Sequence, residues 1–302
     1  MVAGMSGSSG DSSIRIEPLT ISSIEWDLSP SKSHMIRWLL LAAISEGTTE
    51  IRFSGSPGAD IQSMAQCLEQ FGVVIVRNPS FWIVHGRNVQ SLTAPDTVVN
   101  CNNSGTALRL LFPYASSFDV PVIVDGDYTL RSRHLPTLIT ALATLGVEIT
   151  PVSDSNSLPC LVQGPLEASP INIDVSMSSQ PLSSILLAMP RISSPINVEI
   201  NGNAVSRKHA ELSFRIASET GSSNKWDQDI DFIHLEPWSP VVPDIVQIPG
   251  DMSLVSFGLL FSHLHDAQLN IPNIPVVEEG LGAEILLDLI DSLTFFQNKV
   301  LI

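Results

Sequence analysis

Met35, Ile36, Leu39, Leu40 and Ala43 recur at the three- and four-residue spacing of an amphipathic helix, and Ser31, Lys32 and Ser33 stand at its head. The same pattern returns along the chain. Helical runs in "SKSHMIRWLLLAA", "NSGTALRLLFPYA", "SSQPLSSILLAM" and "GDMSLVSFGLLFS" contain Ser33, Ser104, Ser178 and Ser253, at intervals of 71, 74 and 75 residues. A second set lies between them, in "ADIQSMAQCLEQFGV", "RSRHLPTLITALATLGV", "SRKHAELSFRIASETG" and "EEGLGAEILLDLIDSL". Each helix of the first set is followed by a β-like run, in "TTEIRFSG", "VPVIVDGD", "INVEINGN" and "AQLNIPNI".

Constant spacing of this kind is the mark of an internal repeat. The predicted fold class is α/β, built from strand-helix-strand-helix-strand units. Three units are expected in full and a fourth without its end, because the sequence closes on "FFQNKVLI" where further strands should follow.

Composition limits what such a fold could do. The 302 residues suffice for about two domains, and the longest apolar runs fall well short of the roughly 20 residues that span a bilayer. "MVAGMSGSSGDSS" has neither the basic start nor the apolar block of a signal peptide, so residues 1–20 are expected to be a disordered tail. Cys67, Cys101 and Cys160 are odd in number and widely spaced, which fits a reducing cytoplasm better than a disulfide framework. A net charge of -16 argues against nucleic acid or anionic membrane as the main partner. It does not exclude a small anion, because distant charges are screened over about 8 Å while contact charges are not.

Superposing the units gathers polar residues at the helix starts. The first set carries Lys32 and Ser33, then Asn103, Ser104 and Gly105, then Ser178, Ser179 and Gln180; the second carries Asp60, then Arg131 and Arg133, then Ser206, Arg207 and Lys208. Arg37 and Arg109 lie one turn beyond Ser33 and Gly105, on the same face. A lysine at a helix start opposes the helix dipole, by roughly 0.3–1 kcal/mol, unless an anion joins it. Serine hydroxyls and amides suit phosphate oxygens, arginines suit a carboxylate, and Gly105 leaves room for a ligand against the backbone. Parallel packing of the units would aim these groups at one basic, amide-rich mouth. The expected ligands carry a phosphate and a carboxylate. Asp60 and Ser253 read as ordinary helix caps.

The residues of these helix starts resemble those of the 5-enolpyruvylshikimate-3-phosphate synthase family. "PSKSHMIRWLLLAA", "NNSGTALR", "RSRHLPTLITALATLG" and "VSMSSQPLSSILLA" are similar to four of its motifs in order, from about Ile21 to Leu293, over four of the family's six units. The resemblance implies a transferase that moves the enolpyruvyl group of phosphoenolpyruvate to the 5-hydroxyl of shikimate 3-phosphate, without metal or cofactor. It implies that Lys32 touches both substrates, and that Ser33 and Arg37 hold the shikimate carboxylate. Ser178, Ser179 and Ser206 would bind its phosphate. Gly105, Arg133 and Gln180 would line the phosphoenolpyruvate site, with Arg109 and Asn103 shaping it.

By the same resemblance, residues 26–238 form one complete three-unit domain, while 21–25 and 239–302 begin a second, incomplete one. An incomplete domain leaves apolar faces open to self-association or to a complementing chain. Pro181, Lys208 and His209 depart from the family pattern. The sister enzyme acting on UDP-N-acetylglucosamine usually has asparagine after its first lysine and a cysteine before the arginine helix. Ser33 and the cysteine-free "DGDYTLRSRH" point away from it. "HLH", from His263 to His265, reads as a helix end, and Trp226 and Trp238 as strand residues near the domain crossover.

Overall fold

The computed structural model describes residues 21–286 and 288, apart from 134, 153–157, 228–230 and 277–279. The expected tail at residues 1–20 and the closing "FFQNKVLI" lie outside the described residues.

The order of elements follows the hydrophobic pattern. A short β1 (Ser23–Glu25) leads into α1 (Lys32–Ile44), β2 (Gly47–Arg52), α2 (Ala59–Gln70), β3 (Val74–Arg77) and β4 (Phe81–Gly86). Next come β5 (Val99–Asn100), α3 (Gly105–Ala115), β6 (Val122–Asp125), α4 (Tyr128–Arg131), α5 (Pro136–Thr144), β7 (Glu148–Pro151) and β8 (Cys160–Gln163). Then follow β9 (Ile171–Asp174), α6 (Gln180–Ala188), β10 (Ile196–Asn201), α7 (Arg207–Glu219) and β11 (Phe232–Leu235). The described elements end with β12 (Ile245–Gln247), α8 (Met252–His265) and β13 (Gln268–Asn270).

Three sheets share one plan. Their strand orders are β12-β2-β4-β3, β5-β6-β8-β7 and β9-β10-β11. In each, the first neighbours run parallel and the next antiparallel, as in Val99 opposite Val124 and Val124 opposite Cys160. A separate parallel pair joins β1 to β13, with Ile24 opposite Leu269.

The helices fill the space between the sheets. α1 departs from the amphipathic expectation, for every residue after Lys32 is buried. It is enclosed by α2, α3, α7 and β4, so its polar residues must find partners inside the protein. Leu39, Leu40 and Leu41 are all fully buried, a gain of roughly 1.5–3 kcal/mol for each. The α3–α6 contact shows how polar groups are settled there. Pro113 lies inside α3 and has no N–H for the Arg109 carbonyl, which instead accepts a hydrogen bond from the Ser184 hydroxyl of α6. In return the Tyr114 hydroxyl of α3 donates to the Leu187 carbonyl at the end of α6, at 2.6 Å.

The expected arginine helix is two helices, α4 and α5. Pro136 opens α5 and drives Leu135 out of the helical region, to φ -124° and ψ 25°. Trp226 and Trp238 lie outside the strands, packed against the main core. The "HLH" residues do end α8. Of "EEGLGAEILLDLIDSL", residues 283–286 and 288 are helical and much of the remainder lies outside the described residues.

Apolar side chains fall into two clusters. The larger runs through all three sheets and α1 to α7, while Leu28, Met252, Val255, Leu259, Ala283 and Leu286 form the smaller one around α8. Among the described residues no helix is long and apolar enough to cross a membrane.

Candidate functional site

One ion pair and four side-chain hydrogen bonds tie the starts of five helices into a closed circuit. Lys32 Nζ on α1 meets Asp60 Oδ2 on α2 at 3.0 Å. Ser63 Oγ, one turn into α2, accepts from Asn102 Nδ2 of the loop that opens α3, at 3.1 Å. Thr106 of α3 meets Gln180 Nε2 at the start of α6, at 3.4 Å. Ser179 Oγ, before α6, donates to the Ser206 carbonyl before α7 at 2.8 Å, and Arg37 of α1 donates to the His209 carbonyl of α7 at 2.9 Å. The ring brings Lys32, Ser33, Arg37, Asn103, Gly105, Arg109, Ser178, Ser179, Gln180 and Ser206 to one end of the helices, and Arg133 reaches it from beyond α4.

Arg109 and Arg133 converge on Gly105. A methyl group in place of its hydrogen would lie 2.6 Å from Arg133 Nη1 and 2.9 Å from Arg109 Nη1, so glycine here leaves the space that both guanidiniums occupy. Arg109 Nη1 donates to the Gly105 carbonyl at 3.0 Å, and Arg133 Nη2 to Asn103 Oδ1 at 3.2 Å. The Asn103 amide is fixed in turn by Asp127 and Thr129, while Asp127 caps α4 through the Leu130 amide. That amide bond, followed by the Thr129 hydroxyl, holds the Asp127 carboxyl below its usual range. Among the described residues neither arginine has an ion-pair partner. Burial, followed by the Arg133 charge, lowers the pKa of Arg109. Two close cations with free N–H groups are a receptor for an anion.

Arg37 is placed differently from the expectation. It is fully buried, and Nε donates to Ser213 Oγ at 2.7 Å while Nη1 and Nη2 reach the Ser33 and His209 carbonyls. Burial pushes its pKa down to about 10. The guanidinium works as a brace between α1 and α7, and it is closed off from solvent as it stands. Ser33 is nearly buried beside it.

The third part of the ring is rich in hydroxyls. Ser178 Oγ accepts from the Gln180 amide at 3.2 Å, and Ser206 adopts a left-handed backbone with φ 56° immediately before α7. Left-handed serine is uncommon and persists where neighbours hold it; the Ser206 carbonyl accepts from both Ser179 Oγ and the His209 amide. Ser179 is wholly buried. Gln180 Oε1 and His209 Nδ1 are buried with no hydrogen-bond partner among the described residues.

Sequence reasoning overestimated how basic the mouth is. Arg131 pairs with Asp125 at 2.5 Å, Arg207 with Glu211 at 2.6 Å, and Lys208 with Glu284 at 3.3 Å, so their charges are matched locally. It also missed Asp251. One oxygen of this carboxylate accepts from the Lys32 amide at 3.1 Å, and the other caps α8 through the Ser253 amide and hydroxyl. The capping role expected of Ser253 thus belongs to Asp251. Asp60 follows the Gly58 cap of α2 and sits within the first turn. An acidic residue at the start of α2 and another before α8 were each legible, but not their meeting with Lys32.

These positions can be set beside known proteins. The family described as EPSP synthase (3-phosphoshikimate 1-carboxyvinyltransferase) matches residues 22–291. A Methanosphaera stadtmanae protein named 3-phosphoshikimate 1-carboxyvinyltransferase is 29% identical over 266 residues, covering 86% of this chain and 62% of that protein. A Caldivirga maquilingensis protein of the same name is 32% identical over 227 residues, covering 75% of this chain and 51% of the relative. The chain therefore spans about half to three fifths of the length of these relatives. The solved EPSP synthase of Acinetobacter baumannii superposes with a TM-score of 0.73 at 22% identity, over 90% of this chain and 60% of that one, which establishes the mixed α/β fold in common. With the four motifs standing in order on the helix starts and a family match over nearly all the described residues, the chain belongs to the EPSP synthase family.

Proposed function

We propose that this chain builds the substrate mouth of a 3-phosphoshikimate 1-carboxyvinyltransferase, which moves the enolpyruvyl group of phosphoenolpyruvate to the 5-hydroxyl of shikimate 3-phosphate and releases phosphate. The observation that carries the reading is the meeting of Arg109 and Arg133 over Gly105, on the same ring as Lys32 and the serines. In this reading Gly105, Arg109, Arg133, Asn103 and Gln180 receive phosphoenolpyruvate. Gln180 would offer its Nε2 amide protons, one of which faces Thr106 Oγ1 at 3.4 Å. Ser178, Ser179 and Ser206 receive the phosphate of shikimate 3-phosphate, Ser33 faces its carboxylate, and Lys32 stands between the two ligands. Arg37 would reach that carboxylate only by giving up part of its brace.

Residues 26–238 are read as one complete three-unit domain, with 21–25 and 239–302 belonging to a second. The smaller apolar cluster and the β1–β13 pairing support the division. The pairing of β12 with β2 supports setting the crossover back after Gln247 in place of Trp238. The share of the relatives' length that the chain covers bears on a second reading, in which it binds shikimate 3-phosphate without carrying out the chemistry alone, as a non-catalytic remnant or as one part of a split enzyme.

One assay separates the readings: phosphate release from phosphoenolpyruvate plus shikimate 3-phosphate, with a Lys32→Ala control. Release that requires both substrates and vanishes in the control supports the transferase. Binding of shikimate 3-phosphate without release supports the second reading, and absence of both binding and release removes the proposal.

A further inference from the structure

The two sources of positive charge in the mouth are not equivalent. Arg109 and Arg133 stand together without a carboxylate partner among the described residues, whereas Lys32 is already matched, its Nζ 3.0 Å from Asp60 Oδ2. Each member of the pair is also placed by its own helix. Lys32 opens α1, where the dipole disfavours a cation, and Asp60 lies in the first turn of α2, where the dipole favours an anion. Asp251 adds a second carboxylate against the backbone of the same residue. The mouth is thus divided into a cationic half that is open and a half where Lys32 already meets two of the protein's own carboxylates.

An anion arriving at Arg109 and Arg133 displaces nothing. One arriving at Lys32 must break or share the Asp60 pair, and only the surplus appears as affinity. A ligand already held by its other end meets Lys32 at a high effective concentration and can compete where a free anion cannot. We propose that Asp60 is a specificity-determining residue of this mouth, closing Lys32 to simple anions and reserving it for ligands anchored at a second point. This rests on reading the mouth as an anion site, but not on the identity of the anion.

Inorganic phosphate is the probe, titrated at low ionic strength against wild type, Asp60→Asn, Asp60→Glu and the double variant Asp60→Asn/Lys32→Ala, with folding checked by circular dichroism. Because an ion pair of this exposure is worth about 0.2–1 kcal/mol, Asp60→Asn is expected to bind phosphate roughly 1.4- to fivefold more tightly. Asp60→Glu should match wild type, and the double variant should lose the gain. Unchanged or weaker phosphate binding by Asp60→Asn overturns the proposal, as does a gain that survives in the double variant. Failure of wild type to bind shikimate 3-phosphate would count against the proposed function and leave this test standing.

Discussion

Arg37 and Arg109 each lie about one turn into their helices, and each donates back to the carbonyl four residues earlier, yet they do opposite work. Arg37 is fully buried, and it also donates to the Ser213 hydroxyl and the His209 carbonyl of α7. Arg109 is partly exposed and faces a second cation across Gly105. The difference lies in what packs outside the turn. α7 closes over Arg37 and turns it into a brace, while the bare Gly105 leaves room for the Arg109 and Arg133 guanidiniums side by side. An arginine one turn into a helix therefore identifies an anion site only when its neighbours leave its donors free.

The largest effect that could break this contrast is on folding. Arg37→Met should cost on the order of 3–4 kcal/mol, because two carbonyls and a hydroxyl lose their donor inside the core. Urea denaturation checks it; a loss below about 1 kcal/mol would mean that Arg37 is a ligand residue after all.

A second effect comes from His34, next to this brace. Its Nε2 lies 3.0 Å from Arg215 Nη2, and since arginine can only donate, Nε2 is the acceptor and Nδ1 carries the proton toward Ser31 Oγ at 2.9 Å. Burial, then the charges of Arg215 and Arg37, lowers its pKa to about 4. The unfolded chain gains a proton below pH 6.5 that the folded one refuses until about pH 4, so stability falls across that window as pH drops and is unaffected above it. His209, depressed mainly by burial and then by Arg37, acts in the same direction. Stability measured at pH 7 and pH 5 should differ by roughly 2 kcal/mol from His34 alone, and His34→Gln should remove that share. An unchanged slope in the variant would contradict the neutral tautomer.

The open arginine pair should show the reverse balance, a large effect on ligand with little on folding. Arg133→Ala and Gly105→Ala are each expected to weaken phosphoenolpyruvate binding about tenfold, the loss of one charged hydrogen bond or its displacement, at under about 1 kcal/mol of stability. Calorimetric titration beside a denaturation curve reads both quantities. Arg207→Ala should give the smallest change, within about 0.5 kcal/mol in stability, because its pair with Glu211 is a surface one. If it also weakened ligand binding, the mouth would extend further along α7 than the local pairing suggests.

Much of this was legible in the sequence. The helix starts and their order follow from spacing and residue type, and the grouping of Gly105, Arg109 and Arg133 was implied by the family resemblance. The break between α4 and α5 was readable too, in the proline that opens α5. What could not be read is which charges neutralise one another across helices. Asp60 and Lys32 are 28 residues apart, and Asp251 meets Lys32 from the far side of the chain. Nor does periodicity distinguish a helix with one apolar face from α1, whose polar side chains are satisfied inside the core.

Asp251 gives the molecule an internal reporter. A single carboxylate fastens α8 and also holds the Lys32 amide, so the smaller cluster and the ligand mouth meet at one hydrogen atom. Exchange of that amide with deuterium is slowed while Asp251 holds it, so its rate reports how firmly this carboxylate stays seated at the start of α8, readable without any ligand.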